Sequence, residues 1–402
     1  MKKILINYSL TFEIYYNNIR LLPNNSYILH MIERLLQNQI QKRMEDSKAI
    51  IVLGPRQVGK TTLLHTLFSS KNALWLNGDD SDTRSLLENP NADRLKSIIG
   101  KHPYLIIDEA QRIENIGVCI KIITDQLNGI KVIATGSSSF ELANKINEPL
   151  TGRKWEFFLY PLSFQEMVNH HGLLTEKRLL ENRLLFGYYP EVINKPGDEK
   201  VIIKSLADSY LYKDILTWER ILKPEKLERL IQALAFQVGS EVSYNELGQT
   251  CGLDKETVEK YIQLLEKAFI VFRLNSFSRN LRNELKKSRK IYFYDNGIRN
   301  AVINQFSPLA SRNDIGALWE NFMISERQKH IQYQQLFCNR YFWRTTAQQE
   351  IDYIEEKDGD LFAWEFKWNN KGKASFTKTF VNEYQPKQTK VISPENMEEF
   401  IL

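Results

Sequence analysis

Gly54-Pro55-Arg56-Gln57-Val58-Gly59-Lys60-Thr61 satisfies G-x-x-x-x-G-K-[ST], and its flanks supply the setting that pattern needs. Ala49 to Leu53 before it is a short apolar run suited to a buried strand, and the residues from Thr62 to Phe68 after it have helical spacing. In that setting the glycines let backbone N–H groups turn toward phosphate oxygens, and the start of the helix adds its positive dipole end. Gly54, Pro55, Arg56, Gln57, Val58, Gly59, Lys60, Thr61 and Thr62 are thus the candidate nucleotide contacts. Lys60 is placed to reach the β- and γ-phosphates, and Thr61 to offer its hydroxyl to Mg2+.

Working outward, the apolar run from Tyr104 to Ile107 leads directly into Asp108-Glu109. The first carboxylate suits the Mg2+ shell and the second suits polarising a water; an acidic turn after a buried strand is the plainer alternative. A further β-rich run, KVIATG (131–136), ends in hydroxyl residues. Ser137, with Thr135 as the alternative, is the candidate γ-phosphate sensor, against the plainer reading of a polar strand end. With NALWLNG after the first helix, strands alternate with helices, which predicts a parallel sheet covered on both faces. The aromatic and proline residues of TGRKWEFFLYPLSFQE are read as the end of that alternation.

The remaining chain divides by pattern. Residues 1–30 read as an N-terminal extension, 31–160 as the P-loop domain, 161–238 as a helical connector or lid, 239–300 as a winged helix-turn-helix and 301–402 as a C-terminal α/β unit. In the fourth segment Gly252 marks the turn, Asp254 is placed to cap the second helix, and Lys255, Glu256, Glu259 and Lys260 form its mixed-charge outer face.

Hydrophobic residues at 43% and charged residues at 26% exclude a disordered or fibrous chain. Three separated cysteines argue against a zinc site or a disulfide framework and suit a reducing, cytoplasmic setting. No apolar run is long enough to span a bilayer, so no membrane partner is expected. The net charge of +5 is small for 402 residues, yet residues 279–290 alone carry Arg279, Arg282, Lys286, Lys287, Arg289 and Lys290 against Glu284. The whole excess sits where the wing of a winged helix would meet DNA phosphates, with a solvated hairpin tip as the alternative.

The motifs LGPRQVGKTTLL, IIDEAQ, ATGSSS, LTGRK, FLYPLSFQE, FGYYPEV and YLYKDI together resemble a family of prokaryotic AAA-type ATPases of the AAA+ superfamily with an uncharacterised C-terminal domain. The resemblance covers roughly residues 31 to 390. It implies ATP rather than GTP, makes Arg153 a candidate charge-stabilising arginine, and raises a homo-oligomer in which Arg153 acts in trans. At the C-terminus Asp352 and Glu365 with Lys367 lie on successive predicted strands, and Glu320 lies on the helix before them. This set resembles the core of restriction-endonuclease-like folds and forms a candidate second metal site, Glu320, Asp352 and Glu365 with Lys367 beside them. Alternating charge on an exposed sheet is the plainer explanation.

The expectation is therefore an α/β protein: a P-loop NTPase sheet, a winged-helix domain and a C-terminal restriction-endonuclease-like domain. Its expected work is Mg2+-dependent ATP hydrolysis coupling nucleotide state to DNA-binding, nuclease-like modules. The alternative is a nucleotide-dependent switch or scaffold for a protein partner, with a non-cleaving C-terminal domain.

Overall fold

The five residues Ala49–Leu53 (β1) carry no polar side chain and are buried throughout, the mark of a strand covered on both faces. In the computed structural model β1 lies between β4 (Lys131–Gly136) and β5 (Lys154–Phe158). With β2 (Ala73–Asn77) and β3 (Tyr104–Asp108) they form a parallel five-stranded sheet in the order β2-β3-β4-β1-β5. The structure describes residues 32–137, 146, 149–210, 224–278, 288–345, 347–369 and 376–402, so the extension 1–30 lies outside the described residues. All elements named here belong to the compact unit Glu33–Leu402.

Helices α1 (Leu36–Gln41), α2 (Lys60–Phe68), α3 (Ser81–Leu87), α4 (Ala92–Ile99) and α5 (Ile116–Gln126) accompany this sheet. Strand β5 corrects the sequence reading, which ended the alternation there. Its residues KWEFF alternate poorly, because an edge strand keeps Lys154 and Glu156 partly exposed and paired with each other.

The described residues of 161–238 include six helices: α6 (Phe164–His171), α7 (Leu173–Arg178), α8 (Leu180–Phe186), α9 (Pro190–Asn194), α10 (Glu199–Tyr210) and α11 (Pro224–Phe236). A reciprocal capping box starts α6, with Ser163 and Glu166 satisfying each other's backbone N–H groups. Next come α12 (Tyr244–Cys251) and α13 (Lys255–Lys267), joined through Gly252 at φ 66°. Asp254 caps α13 by accepting from the Thr257 N–H at 2.8 Å.

The β-strands near this helix pair do not close into a small sheet of their own. Strands β6 (Glu241–Val242), β7 (Val271–Ser276) and β8 (Arg289–Phe293) pair antiparallel, and β7 then continues in parallel into β9 (Asn339–Arg344). With β10 (Glu350–Lys357), β11 (Asp360–Phe366) and β12 (Gln388–Ile392) they make one seven-stranded sheet, β12-β11-β10-β9-β7-β8-β6. The register of β10 against β9 shifts between Ile351 and Ile354, so both isoleucines enter one core cluster although an odd number of residues apart. That core is closed by Phe380 of α16 (Lys378–Tyr384).

Two more helices complete the arrangement, α14 (Asn296–Val302) and the 19-residue α15 (Ile315–Tyr333), with α17 (Glu398–Ile401) at the end. Helix α15 is buried along most of its length, which is why it shows no clean amphipathic stripe. Its Asn321 holds β8 and α14 through the Phe293 backbone and Asn296. One turn later Glu326 accepts from the Phe164 N–H at 2.7 Å, and Lys329 donates to Glu326 at 2.6 Å and to the Leu162 carbonyl at 2.9 Å. Near its end, the Tyr333 hydroxyl accepts from the Tyr160 N–H at 3.2 Å. Helix α15 thus reaches from the C-terminal sheet to the segment that follows β5.

Removing one member of a buried pair strands the other charge. Lys329→Met is therefore expected to destabilise the chain by about 3–5 kcal/mol. Chemical denaturation measures this, and an unchanged midpoint would contradict the buried pairing.

Candidate nucleotide site

Parallel strands deliver the loops after β1, β3 and β4 to one edge of the sheet. The loop after β1 turns at Gly54, where an added Cβ would lie 2.0 Å from the Leu159 carbonyl oxygen, so no other residue fits. Gln57 at φ 59° and Gly59 at φ 91° complete the curl before α2 begins at Lys60. The Lys60 ammonium is folded onto the loop, donating to the carbonyls of Gly54 at 2.9 Å and Pro55 at 2.7 Å. The opposite side of the loop is held by Arg34, a residue the sequence reading did not single out. Its guanidinium donates to the Val58 carbonyl at 2.6 Å, the Tyr160 carbonyl at 2.7 Å and the Glu166 carboxylate at 2.9 Å. Burial opposes its charge, and Glu166 and Tyr333 together outweigh that effect and hold the proton on.

The Thr61 hydroxyl donates to one oxygen of Asp108 at 2.7 Å, and the other oxygen of Asp108 accepts from the Thr135 hydroxyl. A hydroxyl from the start of α2 against a carboxylate from the end of β3, two strands from β1, is a donor set that fits Mg2+. Thr135, the alternative to Ser137, is therefore occupied in orienting Asp108, and it also accepts from the Glu109 N–H at 3.1 Å. Glu109 sits at φ 48°, and a single 3-10 turn, Ala110–Arg112, brings Gln111 back beneath it. The Gln111 amide donates to the Glu109 carboxylate and, at 2.9 Å, to the Ser137 hydroxyl oxygen. Lys60, Thr61, Asp108, Glu109 and Ser137 are thus gathered at one edge.

Arg153 is not. It precedes β5 at the start of that strand, where Lys154 pairs with Ala49, and so lies at the sheet edge opposite the loop. Its guanidinium pairs with Asp125 at 2.7 Å and is part-exposed. Within its own chain Arg153 cannot reach a phosphate at this site, because the full length of β1 separates them.

The C-terminal residues also come together, with companions that the sequence reading assigned elsewhere. Lys367 lies 2.9 Å from Glu365 and 3.9 Å from Asp352, which also accepts from the Phe366 N–H at 2.8 Å. Glu320 of α15 accepts from Tyr292 at 2.6 Å and from Lys290 at 3.0 Å, and Lys290 also pairs with Glu350. Burial pushes the Glu320 carboxyl up to about 7, with Lys290 drawing it down and Asp352 driving it up. Burial and the neighbouring Asp352 likewise push Glu365 up to about 7. Among the described residues no three acidic, His or Cys side chains are grouped to hold a metal ion. Lys290 therefore leaves the expected phosphate-contacting set: it is fully buried in this cluster. Arg289 lies 4.9 Å from the Tyr244 ring, and residues 279–287 lie outside the described residues.

Residues 46–168 match the AAA domain family. Over this stretch, which holds the phosphate loop and the Asp108-Glu109 pair, the chain is similar to AAA domains. Beyond the AAA-type domain, residues 177–309 match Domain of unknown function (DUF8612) and residues 315–400 match Domain of unknown function (DUF4143). An uncharacterized protein of Mycobacterium tuberculosis is 24% identical over 333 residues, 82% of this chain and 72% of its own. One from Haemophilus influenzae is 26% identical over 301 residues, 68% of this chain and 73% of its own. The solved Walker-type ATPase PABY2304 of Pyrococcus abyssi aligns with 70% of this chain and 99% of its own at 13% identity and TM-score 0.47. No described helix is long and apolar enough to cross a membrane.

The close approach at Gly54 can be tested directly. Gly54→Ala is expected to weaken binding of a fluorescent ATP analogue at least about tenfold, as a displaced loop loses its phosphate-directed N–H groups. Gly316→Ala, with open space around its Cβ, serves as the control and should bind normally.

Proposed function

We propose that the protein is a Mg2+-dependent ATP hydrolase that passes its nucleotide state to the C-terminal part of the chain. The observation that carries the first half is the 2.7 Å contact between Thr61 and Asp108, which unites the phosphate loop with the acidic strand end. On binding, Lys60 exchanges the carbonyls of Gly54 and Pro55 for phosphate oxygens, while the loop N–H groups and the start of α2 receive the remaining charge. Thr61 and Asp108 would hold Mg2+, which would supply charge to offset that of the phosphates. Glu109 polarises the attacking water, and Ser137 donates its proton toward the γ-phosphate.

The second half rests on α15. Arg34 ties the loop carbonyl of Val58 to Tyr160 and Glu166, and the same segment is gripped by Glu326, Lys329 and Tyr333. Before Glu326 on that helix, Glu320 enters the carboxylate cluster. A shift of the loop on nucleotide binding therefore has a packed, hydrogen-bonded route to the cluster.

The partner we propose is DNA, through the α12–α13 pair and the basic segment after β7. Two readings of the C-terminal unit differ in outcome. The adjacency of Asp352, Glu365 and Lys367 favours a cleaving, restriction-endonuclease-like site. Lys290, held between Glu320 and Glu350, favours a unit that engages a partner without cutting, because an ammonium already neutralises those carboxylates.

Lys60→Ala is expected to abolish ATP turnover, and Glu109→Gln to keep ATP affinity while slowing turnover about 10²- to 10⁴-fold. Wild-type turnover in Lys60→Ala would remove the assignment. Plasmid incubated with protein, Mg2+ and ATP separates the C-terminal readings. Nicking that disappears in Asp352→Ala and Lys367→Ala marks a cleaving site; intact plasmid, with turnover stimulated by DNA, marks a non-cleaving module.

A further inference from the structure

We propose that Gln111 is a positioning residue that links the phosphate-facing hydroxyl of Ser137 to the water-polarising carboxylate of Glu109. The inference rests on the hydrolase reading and names a part of that machinery beyond the phosphate loop and the Asp108-Glu109 pair.

The geometry is specific. Gln111 is 3% exposed, and its side-chain nitrogen donates to the Glu109 carboxylate and to the Ser137 hydroxyl oxygen at 2.9 Å. A primary amide nitrogen carries two hydrogens, so it can serve both acceptors at once. Ser137, as acceptor from the amide, keeps its own proton to donate. Glu109, with one oxygen held by the amide, keeps the other for water. The backbone is shaped for this arrangement. Glu109 adopts a left-handed conformation at φ 48°, and the Arg112 N–H closes the turn on the Glu109 carbonyl at 3.0 Å. Gly78 makes room beneath, since a Cβ there would lie 2.3 Å from that same carbonyl oxygen, and its N–H donates to the Asp108 carbonyl at 2.8 Å.

The link has a direction. When Ser137 donates to a γ-phosphate its oxygen becomes a stronger acceptor, the amide is drawn toward it, and the hold on Glu109 loosens. Glu109 is thereby released to water when a γ-phosphate is present and held by the amide when it is not. Gln111 itself touches neither phosphate nor water and transfers no proton.

Turnover and ATP affinity of Gln111→Ala, Ser137→Ala and the double variant provide the test, with Glu109→Gln alongside. Gln111→Ala is expected to lower kcat about tenfold or more with ATP affinity within about twofold, and the double variant to be no slower than the slower single variant. Effects that multiply in the double variant, or wild-type kcat in Gln111→Ala, overturn the link. If Gln111→Ala fails to fold, the near-isosteric Gln111→Glu takes its place. Its carboxylate replaces the amide donors by acceptors, so kcat is expected to fall about tenfold or more with ATP affinity within about twofold; wild-type kcat overturns the proposal. Equal turnover in wild type and Glu109→Gln marks failure of the hydrolase reading itself, distinct from failure of the link.

Discussion

One buried guanidinium holds the phosphate loop in register with the rest of the molecule. Arg34 spends its donors on the Val58 carbonyl inside the loop, on the Tyr160 carbonyl beyond β5 and on Glu166 at the start of α6. Glu166 in turn caps α6 and accepts from the Leu35 N–H at 2.9 Å, so the chain just before α1 is fixed by the same carboxylate. A buried charge of this kind is tolerable only when every polar partner is in place. The consequence is a loop anchored from behind at Val58.

The same economy governs the other end of α15. Glu320, Glu350, Asp352 and Glu365 are brought close by β10, β11 and the helix, and Lys290, Lys367 and Arg344 are paired with them. Ammonium groups inside an acidic cluster lower the cost of bringing carboxylates together, yet Glu320 and Glu365 are still pushed up to about 7 by burial and by Asp352. Because α15 carries Glu320 near its start and Glu326, Lys329 and Tyr333 farther on, the two chemically loaded regions share one rigid element.

Local signals carried much of this, and long-range ones the rest. The curl of Gly54–Thr61, the placement of Asp108 and Glu109, and the β1–β4 strands were legible because backbone demands and unbroken apolar runs leave clear marks. Strand β5 was not, since its exposed edge mixes charge with aromatics. Arg34 gave no signal at all: a single arginine beside Glu33 looks solvated until its partners, 24 to 132 residues away, are known. Gln111 was visible within IIDEAQ but had no role until the turn after Glu109 folded it under Ser137. Lys290 read as part of a basic hairpin because charge patterning cannot distinguish the tip of a strand from its buried base. Arg153 followed a motif order that this sheet does not turn into proximity. The merging of β7 with β9 likewise escaped a residue-by-residue reading, as pairing between distant strands leaves little local trace.

Calorimetric titration of the full chain with ATP, in the presence and absence of Mg2+, tests the central claim most directly. One ATP per chain, bound more tightly with Mg2+ and losing that Mg2+ dependence in Asp108→Asn, is the predicted result. No saturable binding, or binding indifferent to Mg2+ and to Asp108, would contradict the account.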